Sequence, residues 1–303
     1  MKTLEESIKF ESNEKDLKSG LNESLKDPKF KKLVDKLKLP NDLLEKYTSL
    51  LEDSSIEYNN CLNCKNILEC KNKVKGHCYL PNVVDKKIEF GYKKCKKQEQ
   101  LDRENKYLEN IYCFNISDEI KRAKMKDIYT DDPNRFEAIK WINYFIKNYD
   151  KDKHSKGLYL NGSFGCGKTY LISAMFNELA IKGYKSAIIF WPEYLVNLKT
   201  SFGTTDFKDK LDRIKTTPLL LIDDLGAETT TNWSRDEVLC PILQYRMQEK
   251  LPTFITSNLD IKLLEKHLST SKNGIEEVKS TRIIERIKQL TDELNIVSKN
   301  YRN

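Results

Sequence analysis

The sequence predicts an α/β chain: a C-terminal domain with a parallel sheet flanked by helices, preceded by a small, mostly helical N-terminal domain. Three observations carry this expectation. From Asp132 onward, short apolar runs alternate with stretches of helical spacing, the pattern of strands joined by crossover helices. One run, Leu158-Tyr159-Leu160, leads into Gly162-Ser163-Phe164-Gly165-Cys166-Gly167-Lys168-Thr169, which fits GxxxxGK[S/T] without a mismatch. Upstream, five of the eight cysteines crowd between Cys61 and Cys95.

In chain order, the first ~20 residues read as frayed, and residues from about Asp27 to Asp53 read as two short helices. Asp27-Pro28 offers an N-cap with proline in the first turn, and Phe30, Leu33, Val34 and Leu37 recur at helical spacing. Pro40-Asn41-Asp42 breaks and recaps, leading into Leu43, Leu44, Tyr47 and Leu51. Lys93 to Asn110 is dense in charge, as a solvated helix or linker would be. The expected division is therefore an N-terminal domain over 1–105, a linker over 106–131 and the α/β domain over 132–303. Within the last, Arg135–Tyr149 reads as a helix whose apolar stripe (Phe136, Ile139, Trp141, Ile142, Phe145, Ile146) packs on the sheet near a nucleotide base. The expected strands are Gly157–Leu160, Ser186–Phe190, Leu219–Ile222 and Thr253–Thr256, each short, apolar and bounded by turn or cap residues.

Composition bounds the setting. At 303 residues, with 39% apolar and 33% charged residues, the chain has the size of about two domains. No apolar run approaches the ~18 residues of a membrane span, and Met1-Lys-Thr-Leu-Glu-Glu-Ser has no apolar core of a signal peptide. A cytoplasmic protein with no membrane partner is expected. The formal charge of +7 suits an acidic partner such as nucleic acid.

The GxxxxGK[S/T] segment reads as a phosphate-binding loop because its glycines let backbone N–H groups face a concavity, while the following helix presents its positive dipole end. Lys168 would reach the β- and γ-phosphates and Thr169 would ligate Mg²⁺. The nucleotide-binding set expected here is Gly162, Ser163, Phe164, Gly165, Cys166, Gly167, Lys168, Thr169 and Tyr170. Leu219-Leu-Leu-Ile222-Asp223-Asp224 is a Walker B pattern. Asp223 would hold Mg²⁺ and Asp224 sits where a general base orients the attacking water. A third strand ends in Ser257-Asn258, and Asn258 is the candidate for sensing the γ-phosphate. Arg282 and Arg286 lie at i and i+4 on one helix face, fitting either an arginine finger delivered across a subunit interface or a solvated Arg282–Glu285–Arg286 face.

The cysteines follow C-x2-C-x5-C-x7-C-x16-C for Cys61, Cys64, Cys70, Cys78 and Cys95, with His77 beside Cys78. Thiolates two residues apart converge on one tetrahedral ion, and Zn²⁺ would staple a region too small for a sufficient core. The preferred ligands are Cys61, Cys64, Cys78 and Cys95, with Cys70 as the alternate; reduced cysteines without metal are the other reading.

From Phe136 to Arg302 the order GSFGCGKTYL, TTPLLLIDDLGAE, RDEV, LPTFITSN and TRIIERI resembles the AAA+ module of bacterial primosomal helicase loaders of the DnaI type, related to the DnaC loaders. The resemblance implies an ATPase in which Lys168, Thr169, Asp223, Asp224 and Asn258 fill the roles above, Arg282 is the trans finger, Arg286 its neighbour and Arg302 the sensor-2 position. It extends to the cysteine segment, implying a zinc-binding N-terminal domain that docks on the replicative helicase; the position where that family can carry histidine falls on Cys78. Asp224 stands where many AAA+ proteins have Glu, a pattern loaders share, and implies slow turnover, stimulated by a partner or single-stranded DNA.

The resulting expectation is an ATP-, Mg²⁺- and Zn²⁺-dependent loader of the hexameric replicative DNA helicase onto single-stranded DNA. It would self-associate through ATP at subunit interfaces and meet other primosome proteins. Lys199, Thr200, Ser201 and Phe202 are candidate backbone contacts to DNA. The alternatives are a transposition-regulating ATPase of the IstB type and a nucleotide-dependent interaction module that does not hydrolyse.

Overall fold

Residues 14–84, 87–271 and 274–301 are described by the computed structural model, which divides into two units, Met1–Lys106 and Tyr107–Asn303. In the first, helices α1 (Glu14–Ser24), α2 (Pro28–Leu37), α3 (Asn41–Lys46) and α4 (Thr48–Asn63) precede a hairpin of β1 (His77–Val84) and β2 (Lys87–Lys94) and a helix α5 (Lys96–Glu104). The Asp27 carboxylate accepts the Lys29 N–H, Pro28 fills the first helical position, and Lys38 ends α2 in the left-handed region at φ 49°. Leu21, Phe30, Val34, Leu44 and Leu51 form the unit's small core, with Tyr47 and Phe90 packed against it. Three helices, not two, follow Asp27. The chain breaks at Tyr47, and α4 runs past Asp53 to Asn63, so Cys61 lies on its last turn and Cys64 caps it. The antiparallel hairpin pairs His77 with Lys94 at its open end, so part of the stretch expected as helix or linker is strand.

In the second unit the order is β3 (Ile111–Phe114), α6 (Asp118–Lys121), α7 (Phe136–Asn148), β4 (Gly157–Gly162), α8 (Lys168–Ile181), β5 (Ser186–Phe190), α9 (Trp191–Thr200), α10 (Thr205–Thr216) and β6 (Leu219–Asp223). A π-helical stretch (Trp233–Leu239) then leads into α11 (Cys240–Gln248), β7 (Thr253–Ser257), α12 (Ile261–Ser269), the short β8 (Thr270–Ser271) and β9 (Gly274–Ile275), α13 (Glu277–Leu290) and β10 (Thr291–Ile296). Six strands form one parallel sheet in the order β10-β4-β7-β6-β5-β3. Helices cover both faces, which is why its inner strands are unbroken apolar runs. Leu219 and Leu221 join Leu158, Leu160, Ile142, Phe145, Leu171 and Phe176 on one side. Leu220, Ile222 and Tyr159 join Leu195, Leu243, Leu264 and Ile283 on the other.

All four expected strands and the helix after Arg135 are present. The outermost strands were not anticipated. Residues 107–131, expected as a linker, belong to the second unit: β3 pairs with β5, and Ile116, Ala123 and Ile128 are buried. At the other edge Thr-Asp-Glu-Leu-Asn-Ile, too polar to read as a strand, pairs along β4 as β10. Among the described residues no helix is long and apolar enough to cross a membrane.

Candidate nucleotide site

Three neighbouring parallel strands end at one edge of the sheet, where open α/β sheets place their ligand crevice. β4 delivers the phosphate loop, β6 delivers Asp223, and β7, between them, delivers Ser257-Asn258. The loop needs glycine where the next strand presses on it: a Cβ at Gly162 (φ 139°) would lie 1.9 Å from the Ile296 carbonyl oxygen. Gly167 turns into α8 at φ 87°, again a conformation that disfavours a side chain. α8 is apolar around its circumference and buried, which fixes its N-terminus under the loop.

Lys168 is buried and its ammonium donates to the carbonyls of Gly162 (3.0 Å) and Ser163 (2.9 Å) and to Asn258 Oδ1 (2.9 Å). Asn258 Nδ2 donates to Asp224 Oδ1 at 2.9 Å, so one amide links the loop lysine to the second carboxylate. The Thr169 and Thr256 hydroxyls both donate to Asp223 Oδ1 at 2.6 Å. Burial pushes the Asp223 carboxyl above its ordinary pKa; these two hydroxyls and the Lys168 charge act the other way. Asp224 takes the left-handed region at φ 60°, its N–H donating to Thr256 Oγ1 at 2.9 Å. Asp and Asn tolerate that conformation better than longer side chains, a backbone reason for aspartate here. A Thr hydroxyl and a carboxylate, hard oxygen donors side by side, fit Mg²⁺.

These residues line a cleft of about 930 Å³ together with Phe164, Gly165 and Tyr170. Its far wall comes from the stretch expected as linker, including Asn115, Ile116, Ile120, Ile128 and Tyr129. From the start of the helix expected over the base, only Arg135 reaches the cleft; Ile142 and Phe145 are core and Phe136 is half exposed. Cys166 is fully buried, 4.0 Å from the Lys168 ammonium, which removes it from solvent oxidants. Sequence reasoning missed Arg135 and assigned no role to Tyr301, also in the cleft wall. A lone Arg at a helix start has no periodicity to mark it.

Arg282 and Arg286 are not among the cleft-lining residues. Arg282 is exposed on α13, and Arg286 donates to Gln244 Oε1 (2.7 Å) and Cys240 Sγ (3.3 Å). Arg302 lies outside the described residues. Trp233 is helical and packs against the core, two residues before the fully buried Arg235.

The expected zinc ligands come together only in part. Cys61 Sγ accepts from Asn72 Nδ2 at 3.3 Å. Burial, and then Cys61, Glu57 and Cys95, push the Cys78 thiol up to about 12. Cys64 instead donates to the Asn66 carbonyl at 3.1 Å, and Cys70 accepts the Gly76 N–H at 3.4 Å. Among the described residues no group of three or more His, Cys, Asp or Glu is arranged to hold a metal ion. The surrounding loop is pinned by buried Glu57, which accepts N–H groups from Lys73 (3.2 Å) and Tyr79 (2.7 Å).

Residues 93–303 match the model of a protein family described as AFG1-like ATPase. The chain is 36% identical over 264 residues to the replicative helicase loader DnaI of Bacillus subtilis (strain 168), covering 86% of this chain and 84% of that protein. It is also similar to a crystal structure of DnaI, with 42% identity, a TM-score of 0.56 and coverage of 65% of this chain and 100% of that one. A crystal structure of a putative primosome component from Streptococcus pyogenes serotype M3 shares 32% identity, with a TM-score of 0.56 over 66% of this chain and 100% of that one.

Proposed function

Because this chain belongs to the DnaI-type helicase loaders, within the AFG1-like ATPases, we propose that it loads a hexameric replicative helicase onto single-stranded DNA, using ATP. The observation that carries this reading is the coincidence of a P-loop ATPase site with 36% identity to a helicase loader over 264 residues, more than the second unit alone holds. The N-terminal unit would grip the helicase, and zinc held by Cys61, Cys64, Cys78 and Cys95, or Cys70, would brace it; Cys61 and Cys95 both act on the Cys78 thiol, raising its pKa.

In the nucleotide site Lys168 would exchange its carbonyl partners for phosphate oxygens, and Thr169 and Asp223 would hold Mg²⁺. Mg²⁺, when bound, would neutralise negative charge on the phosphates. Asp224 would orient and deprotonate the attacking water, and Asn258, bonded to both Lys168 and Asp224, would register whether the γ-phosphate is present. Arg282, exposed and outside the cleft, would act as a finger on a neighbouring protomer's ATP, with Arg286, bonded to Gln244, beside it. ATP would thereby favour self-association, and slow hydrolysis stimulated by DNA or helicase would reverse it. DNA contacts would involve Lys199, Thr200 and the exposed Phe202, while Ser201 is buried with its hydroxyl bonded to the Asn197 and Leu198 carbonyls; other primosome proteins would be met in the cytoplasm.

Size-exclusion chromatography with light scattering tests the proposal, using the full chain mixed with the replicative helicase of the same organism, in ATP and in ADP. A stable complex whose stoichiometry responds to nucleotide is expected. Separate elution in both nucleotides would refute the loader function.

A further inference from the structure

The chain beyond β10 returns across the phosphate loop. The Ser163 N–H donates to Ile296 O (3.1 Å) and the Tyr301 N–H to Gly165 O (2.9 Å). Asn300 sits so close that a Cβ on Gly165 would lie 1.9 Å from its Oδ1. Ser298 hydrogen-bonds Asp132, and the Lys299 ammonium pairs with Asp131 at 2.8 Å. These contacts place the Tyr301 ring between two groups of the opposite wall. Tyr129 stacks on it with centroids 5.3 Å apart and planes 12° from parallel, and the Arg135 guanidinium lies 4.6 Å from its centroid.

Arg135 is only 2% exposed and abuts the loop: a Cβ on Gly167 would meet its Nη2 at 3.2 Å. Its Nη1 donates to the Tyr129 carbonyl at 3.1 Å. Two polar atoms of this cluster, Arg135 Nε and Tyr301 Oη, are buried without a hydrogen-bond partner among the described residues. A buried guanidinium N–H and a buried phenol left unpaired cost stability, unless a ligand with acceptor atoms completes them. Both residues line the nucleotide cleft, as Tyr129 does, and both abut the phosphate loop, Arg135 at Gly167 and Tyr301 at Gly165.

We propose that Arg135 and Tyr301 are nucleotide-binding residues that contact the nucleoside monophosphate portion shared by ADP and ATP. The C-terminal strap is then part of the binding site, holding Tyr301 in place. This inference rests on the nucleotide-cleft reading.

Calorimetric titration of the full chain with ADP and with a non-hydrolysable ATP analogue tests it, using Tyr301→Phe beside the parent. Removing one hydroxyl should weaken both ligands by the same factor, about fivefold, as expected for one lost hydrogen bond. The melting temperature without nucleotide should stay level or rise, because the hydroxyl has no partner among the described residues. Arg135→Lys, which keeps the charge but loses Nε, should weaken both ligands likewise. Unchanged affinity for Tyr301→Phe, or a loss confined to the triphosphate, would overturn the assignment while leaving the cleft a nucleotide site. A parent chain that binds neither ligand would instead overturn the cleft reading, and this inference with it.

Discussion

Thr169 donates its hydroxyl to Asp223 across 2.6 Å, joining the first turn of α8 to the end of β6. Two motifs more than fifty residues apart thus meet as a donor–acceptor pair, of the two side chains that Mg²⁺ would take. Thr256, from the neighbouring strand β7, bonds the same carboxylate oxygen at 2.6 Å, so the metal end of the cleft is set by one helix and two strands.

Asp224→Asn should abolish hydrolysis, with a fall of about 10²-fold or more, and leave nucleotide affinity near the parent value. Asparagine tolerates the left-handed backbone at φ 60°, so the variant isolates loss of the carboxylate from loss of shape. Phosphate release and ADP titration measure the two quantities. Parent-level turnover would remove Asp224 from the water-activating role.

For the cysteine cluster, metal analysis of the purified full chain should return about one zinc per chain, lost in Cys61→Ser and in Cys78→Ser. Chelation should lower the first unfolding transition, because metal binding contributes directly to the stability of small domains. A chain free of zinc that binds the helicase normally would show that these thiols act only as packing.

Arg246 is fully buried and donates to Thr253 Oγ1 and to the carbonyls of Ile214, Lys215, Thr217, Pro218 and Pro252. Burial lowers its guanidinium pKa to about 9, with Tyr149 and Tyr245 acting the other way. Arg246→Met should cost about 3 kcal/mol or more in denaturant unfolding, since several carbonyls lose their donor at once. An unchanged midpoint would mean water replaces the side chain.

His267 Nε2 lies 3.5 Å from the Glu228 carboxylate, which raises the imidazole pKa above its ordinary value against the opposing effect of burial. A raised folded-state pKa contributes stability in full below the unfolded pKa of about 6.5 and loses it as pH rises through the folded value. His267→Gln should therefore lower the melting temperature more at pH 6 than at pH 8.5. An equal loss at both pH values would assign His267 a packing role alone.

Much of the site was legible before any coordinates. Gly162 to Thr169 and Leu219 to Asp224 announce themselves because each strand, turn and functional side chain lies within ten residues, and apolar runs buried on both faces leave an unbroken signal. Asn258 was legible only by its distance from Asp224; the structure explains it by placing β7 between β4 and β6. β3 and β10 were hidden because an edge strand has one neighbour and tolerates polar residues such as Asp292 and Glu293. For the cysteines, spacing grouped Cys64 with Cys61, while the turn after α4 turns the Cys64 thiol to the Asn66 carbonyl.

By itself the sequence determined the chemistry: a phosphate loop, a paired-carboxylate strand end and a parallel sheet to carry them, all encoded in local patterns of backbone freedom and burial. Only the tertiary structure decided which distant residues complete the cleft. The stretch 107–131 became a wall, Tyr301 came back over the loop to Arg135, and Arg282 and Arg286 stayed outside. The physical reason is that such contacts depend on strand order and on where chain ends return, which no local periodicity records.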